Sequence, residues 1–360
     1  MLVRYSKPVN RVFWFLRLWL GVATVVAMLV ALEMGVLVAS GYRYHSMEHV
    51  ENVLLRDLSL MDSENRAAVF CFRERESTTP VHTKVHLYDG LNVPEILSIE
   101  GSDFYRVALS IDRRLAITSW QGEVFLWQLP ERSFRTGNTL QTLTRGPLYQ
   151  AEGNGCFENI GFSPNGQFLA ANGEDGCFVW NTDTRKRLNI ATQEREEFVC
   201  FFPDSKRLLT TSQNGVLRIR DTLDPQSCEE MHVGSLEIRA ATVSPNAELA
   251  FISNSIGQLK VWSFAEKKTI WKKHETRLAR HLAMNNEFVA FVGSSGLDIK
   301  VCDAKSGNSV RVVQHHDQQL IGLTISQDKL YSWDVSGQIR EVQLSESARD
   351  VKTSAIAATQ

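Results

Sequence analysis

The residues with most chemistry to offer are six cysteines, nine histidines and one dense cluster of glutamates. The cysteines stand at 71, 156, 177, 200, 228 and 302, and no two form a CxxC pair. A structural zinc site or a thioredoxin-like redox site is therefore not supported. Most of these cysteines lie in apolar stretches, where they read as small buried hydrophobes. A Cys156–Cys177 disulfide stays open if the chain faces an oxidising compartment. His45 and His49 are one helical turn apart. His82 and His86 lie on an extended segment, about 13 Å apart at ~3.3 Å per residue, too far for one ion. Neither pair has a Cys or carboxylate set beside it, and His315-His316 reads as a turn. No metal is expected. Glu194, Glu196 and Glu197, in QEREEF with Arg195 between them, read as a solvated loop. The sequence has no GxGxxG opening a helix, no GxxxxGK[ST], no HExxH and no GxSxG. No cofactor and no enzyme activity are expected.

The elements that would position such residues begin with a sharp division of charge. The 360 residues carry 39 Lys+Arg and 41 Asp+Glu, a net charge of −2, which lacks the basic excess of a general nucleic-acid binder. Residues 1–17 hold Arg4, Lys7, Arg11 and Arg17 and no acid, so the remainder carries −6. Leu18 to Ser40 follows as an apolar run interrupted only by Glu33. A run of about 20 apolar residues can cross a bilayer as a helix. Arg17 and Glu33 would be roughly 24 Å apart along its axis at ~1.5 Å per residue, so both side chains could snorkel outward. Trp14 and Trp19 at one end, and Tyr42 and Tyr44 at the other, suit an aromatic belt. The run is longer than a cleaved leader's apolar core, although Val38-Ala39-Ser40 offers small residues for cleavage. The expectation is an uncleaved signal anchor with a cytoplasmic N-terminus.

Beyond it lies a repeat. FSPNGQFLAANGEDGCFVWN (162–181), FFPDSKRLLTTSQNGVLRIRD (201–221) and VSPNAELAFISNSIGQLKVWS (243–263) each read strand, turn, strand, Gly turn, strand. Weaker copies end at Tyr88, Trp127, Cys302 and Val342. Equivalent positions are Tyr88, Trp127, Trp180, Arg220, Trp262, Cys302 and Val342, spaced 39, 53, 40, 42, 40 and 40 residues apart. The 53 marks an insertion in the polar stretch from Pro130 to Gly155. Glycines at 122, 176, 215, 257, 296 and 337 fit turns that need a positive φ.

Seven in-phase copies of about 40 residues, ending at Trp-Asp-like pairs, resemble the WD-repeat family over roughly Glu51 to Leu344. The resemblance implies an all-β fold, a seven-bladed WD-repeat-like β-propeller, here preceded by one transmembrane α-helix. The expected layout is a basic cytoplasmic tail (1–17), a signal anchor (18–40), a short linker (41–49), a propeller (50–344) and a polar tail (345–360). The sequence departs from the family pattern: Trp180-Asn181, Trp127-Gln128 and Trp262-Ser263 stand where Trp-Asp would. The Gly-His pair is missing, His274 and His315 falling near the place of its histidine, so the family's buried Asp-His-Ser-Trp network should be largely absent. For ring closure, Val50 to Arg56 is favoured as the outer strand of the last blade. Asp350 to Ile356 is the rival.

The faces of such a ring suit protein recognition. Trp120, Trp333, Tyr105, Arg106 and Arg239 are the candidate partner-binding residues, being types enriched at binding hot spots and lying near blade ends. The expectation is a single-pass membrane scaffold, non-catalytic, binding protein partners and no nucleic acid, and holding the lipid bilayer through residues 18–40. Its propeller would be extracytoplasmic, or periplasmic in a cell with two membranes. The alternative is a ligand-sensing or enzymatic propeller using its central channel, which would need a convergent polar set at one channel mouth. A cytoplasm-facing scaffold of inverted topology is the third reading.

Overall fold

Short apolar strands separated by tight turns leave each strand pair with two hydrophobic faces to bury, and stacking four-stranded sheets against one another buries both. In the computed structural model the described residues are 42–45, 53–60, 68–74, 82–88, 95–102, 104–129, 149–150, 157–173, 176–188, 196–224, 228–276, 279–314 and 316–344. Of the side chains in 42–102, only that of Val85 is described. The expected anchor, residues 18–40, and the tail, 345–360, lie outside these residues.

The described strands pair into seven antiparallel four-stranded sheets. The first holds Val53–Leu60, Ala68–Glu74, His82–Tyr88 and Glu95–Ser102; the second Phe104–Leu109, Arg114–Ser119, Glu123–Gln128 and Tyr149–Gln150. The third holds Phe157–Phe162, Phe168–Gly173, Gly176–Asn181 and Arg187–Leu188; the fourth Glu196–Phe201, Arg207–Ser212, Val216–Asp221 and Cys228–His232. The fifth holds Ile238–Val243, Leu249–Asn254, Gln258–Ser263 and Lys268–His274; the sixth Leu282–Met284, Phe288–Val292, Asp298–Asp303 and Ser309–Gln314. Leu320–Ser326, Lys329–Asp334 and Ile339–Gln343 form the seventh with a fourth strand from the other end of the chain, Tyr42–His45. The first strand of each sheet lies beside that of the next, and that of the seventh beside that of the first. This is an all-β propeller whose inner strands surround a channel.

The closing strand corrects one expectation. Tyr42 pairs with Val342 and His45 with Ile339. Val50 to Arg56, favoured for that role, instead supplies most of its length to the inner strand of the first sheet, where Val53 pairs with Glu74. The tetrapeptide YRYH falls within the stretch expected to be linker. Its alternation of aromatic and basic residues suits an outer strand with one covered face.

The apolar core sits between neighbouring sheets. Ala116, Val124 and Leu126 of the second sheet meet Leu169, Ala171 and Trp180 of the third, and the same arrangement recurs around the ring. The repeat's terminal positions Trp127, Trp180, Arg220, Trp262, Cys302 and Val342 are all buried. Turns set the register. In the Ser-Pro-Asn turns the Ser163 and Ser244 hydroxyls accept from the amides of Phe168 and Leu249, both at 3.0 Å. The next turn places glycine at positive φ in six sheets, from Gly122 at 80° to Gly337 at 86°.

The sheets differ in how the third strand is pinned to the chain that enters the sheet. Two residues before the repeat's terminal position, the second and third sheets carry Phe125 and Phe178, stacked on Trp127 and Trp180 at 5.4 and 5.9 Å. The fourth to seventh sheets carry Arg218, Lys260, Lys300 and Arg340 there. Arg218 and the buried Arg220 both donate to one oxygen of Glu196, at 3.1 and 2.9 Å. Lys260 donates to the Val233 carbonyl at 2.7 Å, and Lys300 to Glu275 at 2.8 and 2.9 Å. Glu196 and Glu197, expected in a solvated loop, are buried at 0% and 5% exposure. The guanidiniums of the third strand offset the cost of enclosing Glu196. The seventh sheet keeps a triad: His316 bonds Asp334 at 2.8 Å and Ser332 at 2.9 Å. The histidine is His316 and not His315, and His274 is exposed.

Candidate functional site

The inner strands present their side chains to a central channel of about 1050 Å³. Chain geometry gives this channel two distinct mouths. Hydrogen bonds tie the turn between second and third strands to the loop entering the same sheet, as from the Ser255 amide to the Glu237 carbonyl and from Val335 to Gln319. At the other end, the exit of the third strand is tied to the turn between first and second strands, as from Leu129 to Arg113 and Thr222 to Lys206. Trp120 marks the first end and Ile111 the second.

Four of the five expected binding residues line the channel: Tyr105, Arg106, Arg239 and Trp333. Trp120 lies beside them. Its ring meets Tyr105 edge-to-face at 4.7 Å, and the Arg106 guanidinium sits over the other partner, Tyr105, also at 4.7 Å. The Trp120 indole remains 52% exposed. These three residues form one continuous aromatic and cationic surface at the channel rim. Arg239 is held by Glu237 at 2.8 Å and Glu197 at 3.7 Å, so its charge is already matched. Trp333 is buried and lies over Gly322, where an added Cβ would fall 2.2 Å from the indole. It shapes the channel wall and presents almost no surface.

Sequence reasoning missed Arg280 and His281, which enter the same channel just before the sixth inner strand. Burial, then the guanidiniums of Arg106 and Arg280, push the His281 imidazole down to a pKa of about 4. At neutral pH this ring is uncharged between two cations. The only available signal was HETRLARH, a basic stretch ending immediately before an apolar strand. Glu158 from the third sheet also lines the channel.

Among the described residues, nothing in this wall forms a nucleophile–base pair. Among the described residues, no group of three His, Cys, Asp or Glu side chains could hold a metal. Cys177, Cys200, Cys228 and Cys302 carry free thiols. Burial raises the Cys177 thiol, and pushes Cys200 up to about 12, which makes both poor nucleophiles. Cys156, His49 and His315 lie outside the described residues, as do the side chains of Cys71, His45, His82 and His86.

No family model matches the chain. A curated Drosophila melanogaster protein described as an LST8 homologue is 28% identical over 127 residues. The match covers 32% of this chain and 37% of that protein. The chain thus spans little more than a third of the length of the curated relative it matches. The chain folds as an all-β propeller, and its repeat resembles that of WD-repeat proteins.

Proposed function

We propose that this chain is a membrane-anchored, seven-bladed WD-repeat scaffold that docks protein partners on the Trp120 face of its ring. The observation that carries the reading is the placing of exposed apolar side chains. Trp120, Ile256 and Leu297 occupy the turns between second and third strands of three different sheets, and Leu236 the loop entering the fifth. All four project at the same end of the ring, around the mouth bordered by Tyr105 and Arg106. Isolated exposed hydrophobes need no explanation, but several on one rigid face suit partner recognition. Seven sheets following the seven-copy repeat support the blade count. Propellers of this type typically act as interaction platforms, and the described residues of the channel wall offer no acid–base machinery that would argue for catalysis.

The anchor reading rests on the apolar run from Leu18 to Ser40 and the four basic residues before it. Among the described residues no helix is long and apolar enough to cross a membrane, and residues 18–40 are not among them. In this proposal the N-terminus is cytoplasmic and the propeller extracytoplasmic, periplasmic in a two-membrane cell. A single residue, Gly41, would separate the bilayer segment from the closing strand at Tyr42. The outer edge of the seventh sheet would then be held at the membrane, and confinement to that plane would raise the effective concentration of partners.

The test combines in-situ crosslinking with a topology reporter fused after Gln360. Trp120→Ala and Ile256→Ser should remove the crosslinked partner while leaving the melting temperature unchanged. Retained crosslinks would exclude this face. A reporter active only on the cytoplasmic side would replace the proposed topology with the inverted one.

A further inference from the structure

We infer that a second, smaller cavity on the Trp120 face captures the C-terminal carboxylate of a protein partner together with the aliphatic side chain of its last residue. The inference rests on the docking reading and names what the partner presents. The cavity, about 130 Å³, lies between the fourth and fifth sheets beside the loop 233–236. Val233, Leu236, Ile238 and Ile252 line it with apolar surface, and Asn254 and Lys260 are its two committed donors. Ser235 and Gln258, which also line it, can donate or accept. The strand register brings the two donors together. Ile252 pairs with Lys260, so Asn254, two residues beyond Ile252, is the diagonal neighbour of Lys260 on the same face, with Cβ atoms roughly 7 Å apart.

Both donors have capacity left over. The Asn254 side chain belongs to a residue only 5% exposed. Its Oδ1 accepts from the amides of Ile256 and Gln258 at 3.3 and 2.9 Å, and its Nδ2 donates to nothing among the described residues. The Lys260 ammonium donates once, to the Val233 carbonyl, and meets no carboxylate among the described residues. Its cross-strand neighbour is a second cation, Lys272, which has no acidic partner among them either. The acids of the adjoining segments are engaged elsewhere: Glu229 with Lys267, Glu230 with Arg218 and Glu237 with Arg239. Burial, then Lys272, hold the Lys260 pKa below the ordinary lysine value, and a bound anion would offset the second influence. Two fixed donors and no lining acid suit a group that only accepts, which a carboxylate is. The apolar walls suit an aliphatic group on the same ligand. A chain terminus supplies both from one Cα, whereas an internal acidic residue spends its side chain on the carboxylate. The cavity holds one such residue. Leu236 and Ile256, 38% and 52% exposed at its rim, would be left uncovered by a free acid of that size but are in reach of the residues that precede a terminus.

The experiment is fluorescence polarisation of a labelled GGSGL peptide, as its free acid and as its C-terminal amide, against the full-length chain in non-ionic detergent. The free acid should bind saturably. The amide should bind about tenfold more weakly or worse, for want of the charge-assisted contacts, and so should GGSGG acid, for want of the buried side chain. Lys260→Gln should weaken the acid by about tenfold and leave the amide unchanged, a split that a merely structural lysine would not produce. Gly234→Ala should also weaken the acid, because its Cβ would meet the Lys260 Nζ at 3.0 Å and displace it. Lys267→Gln, at the opposite end of the fifth sheet and paired with Glu229, should have no effect. Melting curves verify that the variants fold, and the acid-over-amide preference of the wild-type chain decides the matter without them. Equal binding of acid and amide, or an acid affinity unmoved in Lys260→Gln, would overturn the carboxylate site while leaving the docking face in place. Absence of saturable acid binding would overturn the site too, and the Trp120→Ala crosslinks decide the docking face separately.

Discussion

Arg220 donates to Glu196 at 2.9 Å with both side chains sealed from solvent, at a position where three other sheets bury tryptophan. The fourth sheet has therefore exchanged an aromatic anchor for an ion pair. Removing one member leaves an uncompensated buried charge, which costs about 3–5 kcal/mol. Glu196→Ala takes the carboxylate from the buried Arg220, while Arg218 keeps its pair with Glu230 at 2.6 Å, and should destabilise by that amount in denaturant unfolding. The double variant Glu196→Leu, Arg220→Leu should recover much of the loss. A Glu196→Ala protein as stable as wild type would show that the pair contributes nothing.

His281 links stability to pH. Its pKa is about 4 in the fold against 6.5 when exposed, so the unfolded chain binds the proton more tightly. Its contribution is complete above pH 6.5 and is lost as pH falls from 6.5 toward 4, by no more than about 3 kcal/mol. His281→Gln should flatten this part of the stability profile. A wild-type curve level between pH 7 and 4.5 would contradict the assignment.

Ala247 holds a positive φ of 59° at the turn position where the third sheet has Gly166 at 74°. A residue with a Cβ costs roughly 1–2 kcal/mol there, partly returned by the greater freedom of an unfolded glycine. Ala247→Gly should stabilise by about 0.5–1 kcal/mol in chemical denaturation. Gly166→Ala should do the reverse, since its Cβ would also meet the Asp112 carboxylate within 2.9 Å.

Gly322 leaves room for the Trp333 indole. Gly322→Ala would place a carbon 2.2 Å from a rigid buried ring, an overpacking cost of about 1–3 kcal/mol. Trp333→Phe in the same chain should relieve part of it. Thermal melts of the single and double variants measure both effects, and additive losses would mean that the two residues do not clash.

Deleting residues 1–45 removes the closing strand, whereas deleting 1–40 leaves it in place. The shorter chain should melt at least ~5 °C below the longer. Identical melting would assign closure elsewhere.

Much of this was legible beforehand in the positions that repeat. The spacing of Trp127, Trp180 and Trp262, and the glycines at 122, 215, 257 and 337, follow from backbone geometry that recurs in each sheet. The features that did not repeat were misread or missed. Glu196 looked solvated because its neighbours are charged, and only its alignment with Arg218 and Arg220 reveals a buried partner set. Tyr42 and Tyr44 gave no sign of a closing strand because their pairing with Ile339–Gln343 spans nearly the whole sequence. The entry of Arg280 and His281 into the channel was hidden in the same way: local sequence carries no record of which sheets face each other across the channel.

The pairing of Tyr44 with Arg340 also sets an order in time. The partner of the earliest strand is among the last residues made. At roughly 5–20 residues per second, some 15–60 seconds of synthesis separate the two. Throughout that interval the growing chain is an open arc with an unpaired edge, a state prone to wrong pairing. The entropy of joining such distant ends grows only logarithmically with chain length, so closure is thermodynamically cheap but unavoidably late. A chain interrupted before residue 339 could build six sheets and still lack the strand that turns an arc into a ring.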